Sequence, residues 1–372
     1  MISGNPMMKK LERLILFWLL CSACSSSFTQ ATIPVIPSAT PEPSYTPAPT
    51  LPIVTHQAPT AMPLFQPISG LSGKLIVIVS GENGSTLTEI NLATGKSTLL
   101  FQAPPQSWLA AETISPDGKQ ILLAYSPPPP GGKINYGYTD LYMLPADGSA
   151  QPALYLERAN PQESFFDPTW SPDGKMIYYA HFFYTEPKAG TYTYQIERTG
   201  ADKKPKILVK NALWPRLSPD GMKLAFLSYD PLSKNNELYL ADAEGKSPAP
   251  ILPKGTFPAV DAHMFSPDGS TITFSAVNLQ PSPQFSFWEQ LLGINVASAH
   301  YVPSDWYRVP VAGGQANRLT NVNDTGLYGH FSPDGKQFAF ICSTGLYIMD
   351  ADGGNLTQVS NAALLGTLDW IP

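Results

Sequence analysis

Asp167-Pro168-Thr169-Trp170-Ser171-Pro172-Asp173-Gly174-Lys175 carries at its centre a tetrapeptide that the 372-residue chain uses five times. Ser-Pro-Asp-Gly begins at Ser115, Ser171, Ser218, Ser266 and Ser332, so successive copies lie 56, 47, 48 and 66 residues apart. Repetition fixes an architecture before any single residue is read, and the shortest unit is close to the ~40–45 residues of a four-stranded propeller blade. The longer units must carry insertions. An aromatic or aliphatic residue precedes each copy (Ile114, Trp170, Leu217, Phe265, Phe331), and an apolar or alternating run follows, as in Gln120 to Tyr125 and Lys223 to Ser228. That is strand, turn, strand. Proline presets φ at the second turn position, Asp tolerates the third, and Gly supplies the left-handed conformation that returns the chain. The turn accounts for every residue of the motif, which leaves no need to read the aspartates as a catalytic or metal set.

A second turn follows each motif: Asp147-Gly148, Glu244-Gly245, Gly313-Gly314 and Asp352-Gly353, with Gly95 and Gly200 completing the set. These read as the hairpin into a last strand such as Leu356 to Ser360. Asp350-Ala351-Asp352-Gly353 begins like a calcium loop but has no Glu at the twelfth position, so the hairpin reading is preferred.

Five motifs give five blades, yet the chain holds strands for six. Leu75 to Ser80, Leu87 to Leu92 and Ser97 to Phe101 form a blade that lacks its first strand, and Gly366 to Pro372 is a strand with no blade after it. Laid end to end, Leu368-Asp369-Trp370-Ile371-Pro372 and Ser72-Gly73-Lys74 rebuild the cassette quoted above, cut inside its turn. The expected fold is therefore all-β: a six-bladed β-propeller of four-stranded antiparallel blades, closed by the C-terminal strand pairing into the N-terminal blade. Closure of this kind removes open sheet edges.

The Ser-Pro-Asp-Gly-Lys hairpin, the Leu-Tyr strand and the Asp-Gly turn resemble the WD-like repeat of TolB-type β-propellers, a repeat also found in the propeller domains of prolyl-oligopeptidase-family proteins. The resemblance covers roughly residues 70 to 372. It implies the fold and says little of function, because propellers host binding, scaffolding and several chemistries.

Before the ring, Lys9, Lys10 and Arg13 form a basic segment and Leu14 to Leu20 an apolar core, the pattern of a secretion signal too short to span a bilayer. Ala23-Cys24 resembles a bacterial lipobox, although the usual Leu three residues before the Cys is here Cys21. Residues 1–23 are expected to be a lipoprotein-type signal peptide, with Cys24 the lipidated residue. Residues 24–68, rich in Pro, Ser and Thr and nearly free of charge, are expected to be a disordered stalk. At ~3.1 Å per residue its extended reach is up to about 130 Å. Residues 69–372 are expected to be the propeller, and the protein to be an extracytoplasmic monomer, lipid-anchored to the bacterial cell membrane. Cys342, in an apolar strand, is expected to be a small buried hydrophobe with no disulfide.

A net charge of -6 with no basic run outside the first residues argues against nucleic acid. No Gly-x-Ser-x-Gly elbow, phosphate loop or Cys-x-x-Cys pair occurs in the ring, and the chain ends with it, so no enzyme activity and no cofactor is expected. The tight hairpins mark one face of a propeller and the insertions the other: 126–139, 181–191, 229–236 and 278–304. These loops and the inter-blade segments are aromatic, and Tyr136, Tyr138, Phe183, Tyr184, Trp214, Tyr229, Phe285, Trp288, Tyr301 and Tyr328 are the candidate binding residues. The expected function is a non-catalytic binding or scaffold module for a protein, peptide or glycan of the cell envelope. The alternative is a metal-dependent, lyase-like carbohydrate-active enzyme using His263 and His330. They sit in innermost strands with Asp261, Asp167 and Asp369 at comparable levels, and the distant resemblance to propeller-fold polysaccharide lyases implies that use.

Overall fold

The computed structural model describes residues 65, 67–81, 84–129, 138–230, 236–277 and 302–372. Within them lie six four-stranded antiparallel sheets. The innermost strands of the second to sixth blades are Trp108–Ile114, Ser164–Trp170, Ala212–Leu217, Val260–Phe265 and Tyr328–Phe331. That of the first blade is the last strand in sequence, Leu364–Ile371, which pairs with Lys74–Val79. Each innermost strand touches that of the next blade and the sixth returns to the first, so a closed six-bladed β-propeller results.

The repeated turn is held by one hydrogen-bond pattern. Ser171 Oγ donates to Asp173 Oδ1 (2.6 Å), the same Oδ1 accepts from Lys175 N (3.1 Å), and Met176 N donates to Ser171 Oγ (2.9 Å). The other four copies repeat it. Each aspartate thus accepts local hydrogen bonds on Oδ1, which holds its carboxyl group below the usual range, to about 2 at Asp173 and Asp268. Pro and Gly do a second job between blades. A Cβ on Gly221 would stand 3.5 Å from Pro172 Cδ, on Gly269 3.5 Å from Pro219 and on Gly335 3.3 Å from Pro267, so each turn nests its glycine on the proline of the turn before. Around Gly118, which follows the split turn, nothing lies within 4 Å.

The closure follows the expected cut. Lys74 pairs with Ile371, Leu75 with Trp370 and Ile76 with Asp369. Trp370, 3% exposed, donates from Nε1 to Ser72 O (3.1 Å). Gly366 (φ +66°) tolerates no side chain, since its Cβ would fall 2.3 Å from Ala110 O in the second blade. The strand starts at Leu364, two residues before the expected Gly366. The core also takes in Phe65, 1% exposed, ahead of the ring start expected at residue 69.

One insertion differs from its expected form. Residues 181–191 are no loop: the strand Ile177–Glu186 runs on, turns through the 3-10 turn Pro187–Ala189 and returns as Thr191–Thr199. Aromatic and β-branched residues favour a pleated surface, and alternation places Phe182, Tyr184, Tyr192 and Tyr194 on one side, with ring centroids 5.2–6.3 Å apart. Cys342 is buried, as expected, and burial pushes its thiol up to about 11.

Candidate functional site

The innermost strands wall a central channel, and counting back from the turn serines lines up what each blade contributes. The second residue before Ser is Thr113, Thr169, Arg216, Met264 and His330, and Asp369 holds the same place beside Trp370. All six line a cavity of about 510 Å³ bordered by the turn Ser115–Gly118, on the hairpin side. Four residues before Ser, the third, fourth and fifth blades share a distortion. Asp167 (φ 48°), Trp214 (φ 59°) and Ala262 (φ 39°) are left-handed, and the pairing register shifts across each. A bulge with a non-glycine in this conformation costs about 1–3 kcal/mol and redirects side chains. Here it brings Asp167 and Trp214 to the channel wall.

The hairpin-side cavity gathers ionisable groups. Arg216 Nη1 donates to Pro215 O (2.9 Å), and its charge is opposed by Asp167, Asp369 and Glu112. Glu112 takes a hydrogen bond from Thr367 Oγ1 on one oxygen and has no partner on Oε1. Burial, reinforced by Asp369, raises its carboxyl well above the usual range. His263 is 1% exposed, and burial with the Arg216 charge pushes it down to about 3, so the imidazole is neutral at physiological pH. His330 Nδ1 donates to Phe331 O (2.7 Å) and Nε2 stands 3.3 Å from Asp369 Oδ1. His263 and His330 therefore line one cavity, yet among the described residues no three His, Cys, Asp or Glu side chains gather as a metal-ligand set.

The opposite mouth is built differently. A cavity of about 460 Å³ is walled by Trp108, Phe166, Tyr192, Tyr194, Trp214, Tyr229 and Tyr328, with Asp167, Asp261 and Asn236 among them. Trp108 meets Phe166 edge-on at 6.0 Å, and Tyr192 stacks on Tyr229 at 5.9 Å. Trp214 and Tyr328, 5.3 Å apart, line both cavities and stand between them. Offset and edge-on pairs of this kind fix ring orientation and leave faces for a ligand.

Of the candidate binding residues, Trp214, Tyr229 and Tyr328 line this mouth. Trp214 and Tyr328 belong to innermost strands, not to inter-blade loops. Tyr184 joins the ring cluster behind Tyr192, and Tyr138 sits beside Tyr184, whose proximity with burial raises the Tyr138 phenol. Phe183 turns to His181 instead, at 5.3 Å. Tyr136, Phe285, Trp288, Tyr301 and Cys24 lie outside the described residues. The sequence pattern did not single out Tyr192 and Tyr194, which look like plain strand, nor Arg216 and Glu112 among the ionisable groups. Lining up the repeats by position exposes Arg216, which stands where the neighbouring blades have Thr169 and Met264. His181, which belongs to no sequence motif, is bracketed by Glu197 (2.8 Å) and Glu163 (3.4 Å).

No protein-family model and no curated protein matches the sequence. Solved structures do. TolB from Acinetobacter baumannii superposes with a TM-score of 0.58 at 16% identity, over 81% of this chain and 67% of that one. TolB from Agrobacterium tumefaciens gives 0.53 at 18% identity, over 81% and 99%. A chain of a nidogen/laminin complex gives 0.57 at 9% identity, over 81% and 99%. At these identities the likeness is one of fold, and the fold is that of a TolB-like six-bladed propeller.

Proposed function

We propose that the protein is a non-catalytic binding module of the bacterial envelope, which engages a protein, peptide or glycan through the insertion-side mouth of its channel. The observation that carries this reading is the aromatic wall. Seven rings from the second, third, fourth and sixth blades converge on one concavity, whereas the hairpin face repeats one self-satisfied turn. Large rigid rings lose little entropy on binding and dominate recognition surfaces. In the same reading residues 1–23 direct export, Cys24 carries the lipid, residues 24–68 hold the propeller off the membrane, and the propeller works as a monomer.

The test compares full-length protein with Trp108→Ala and Tyr192→Ala variants in capture of envelope components. Loss of one specific partner from both variants, with retention by Lys119→Ala on the hairpin face, supports the reading. Retention by both mouth variants overturns it. Acyl labelling that persists in Cys24→Ala removes the anchor. A stoichiometric divalent ion, lost in His263→Ala with His330→Ala, replaces the binding role by the metal-dependent enzyme.

A further inference from the structure

We infer that the insertion-side mouth receives the cationic group of a lysine or arginine presented by a partner polypeptide. The inference rests on the reading of that mouth as the binding face and adds what enters it.

Three observations point the same way. Among the described residues the lining contains two carboxylates, Asp167 and Asp261, and no Lys, Arg or His. Its walls are tyrosine and tryptophan faces, whose negative quadrupole attracts a cation within about 6 Å of the ring centre. Asn236, 7% exposed, lines the same cavity with its acceptor Oδ1 unpartnered. A buried acceptor without a donor is costly, and an incoming N–H would satisfy it. The charge that acts on Asp167 is Arg216, which lines the other cavity. Burial lifts the Asp167 carboxyl to about 6, which still leaves it ionised at neutral pH and lets a bound cation draw it down.

The polypeptide origin follows from a fourth group. Trp214, 5% exposed, lines this mouth as well as the hairpin-side cavity, and its Nε1 donor has no partner. A free amine offers no acceptor for it, whereas the backbone carbonyl beside a lysine or arginine does. An orphan acceptor and an orphan donor on two residues that line the mouth match an ammonium or guanidinium group together with a backbone carbonyl.

Fluorescence of Trp108 and Trp214 in the full-length protein gives the readout. The probes are acetyl-Gly-Lys-Gly-amide and acetyl-Gly-Arg-Gly-amide, their neutral counterparts with norleucine and citrulline, and cadaverine as a free amine. We expect at least one cationic peptide to bind about tenfold tighter than its neutral counterpart and tighter than cadaverine. Asp167→Asn should remove that preference without weakening the neutral peptide. Asn tolerates the left-handed conformation, so the variant keeps its fold. Asp117→Asn, in a hairpin turn, should leave binding unchanged. Equal affinity for charged and neutral peptides, or no effect of Asp167→Asn, overturns the inference. If those neutral complexes are lost in Trp108→Ala, the mouth remains the binding face and only its charge preference falls. Cadaverine binding as tightly as the peptides overturns the polypeptide origin.

Discussion

At the hairpin end of the channel the blades present near-copies of one turn; at the insertion end the described residues share no repeated cassette. The hairpin end spends Ser, Asp and backbone on each other and nests four of the five turn glycines on the preceding proline. The turn serines and the Oδ1 atoms of the turn aspartates are satisfied before any ligand arrives. The insertion end gathers Trp108, Phe166, Tyr192, Tyr194 and Tyr229 and leaves Asn236 Oδ1 unanswered. The difference teaches that what repeats in this protein specifies the ring, and that recognition chemistry collects where repetition stops. The channel interior lies between the two, with Arg216, His263 and Glu112 each contributed once.

The largest way to break this division is to open the ring. Removing residues 364–372 takes the innermost strand from the first blade, and we expect the cooperative urea transition to disappear. Trp370→Ala, which empties a buried site in the same strand, should cost about 3–5 kcal/mol in urea denaturation. Gly366→Ala comes next. Its left-handed conformation and the approach to Ala110 O predict a loss of about 2 kcal/mol, read as a lower denaturation midpoint.

Changes at the insertion mouth should separate binding from stability. Trp108→Ala and Tyr192→Ala should each lower ligand affinity by about tenfold or more while shifting the denaturation midpoint far less than Trp370→Ala. The hairpin face predicts a smaller, pH-linked effect. The turn carboxylates are held below their unfolded value of about 3.8, so their stabilising contribution is present above that pH and is lost as pH falls through about 2. Thermal midpoints should therefore drop between pH 4 and 2, and less steeply in Asp173→Asn. Smallest is the thiol: raised to about 11 and buried, Cys342 should resist alkylation at pH 8 until the ring unfolds.

Blade number and closure were legible because a tight hairpin writes its needs in adjacent residues. Pro, Asp and Gly stand at fixed offsets, and Gly73 and Trp370 show where the sixth copy is cut. The mouth was legible only in part, since it depends on groups distant in sequence and on bulges that leave no residue signature. Ala262 and Trp214 share one distortion with Asp167, though nothing in their side chains announces a left-handed backbone. The same bulge turns Trp214 to the channel, where the pattern alone suggests an inter-blade loop. Tyr192 and Tyr194 read as ordinary strand until the hairpin extension brings them over Tyr229.

The most direct test of the central division is site-specific photo-crosslinking in the producing cell, with a benzophenone amino acid placed at Tyr192 on the insertion mouth or at Lys119 on the hairpin face of the full-length protein. The account predicts a discrete adduct from position 192 that fades with Trp108→Ala, and none from position 119. An adduct from position 119 alone, or one from position 192 indifferent to Trp108, would contradict it.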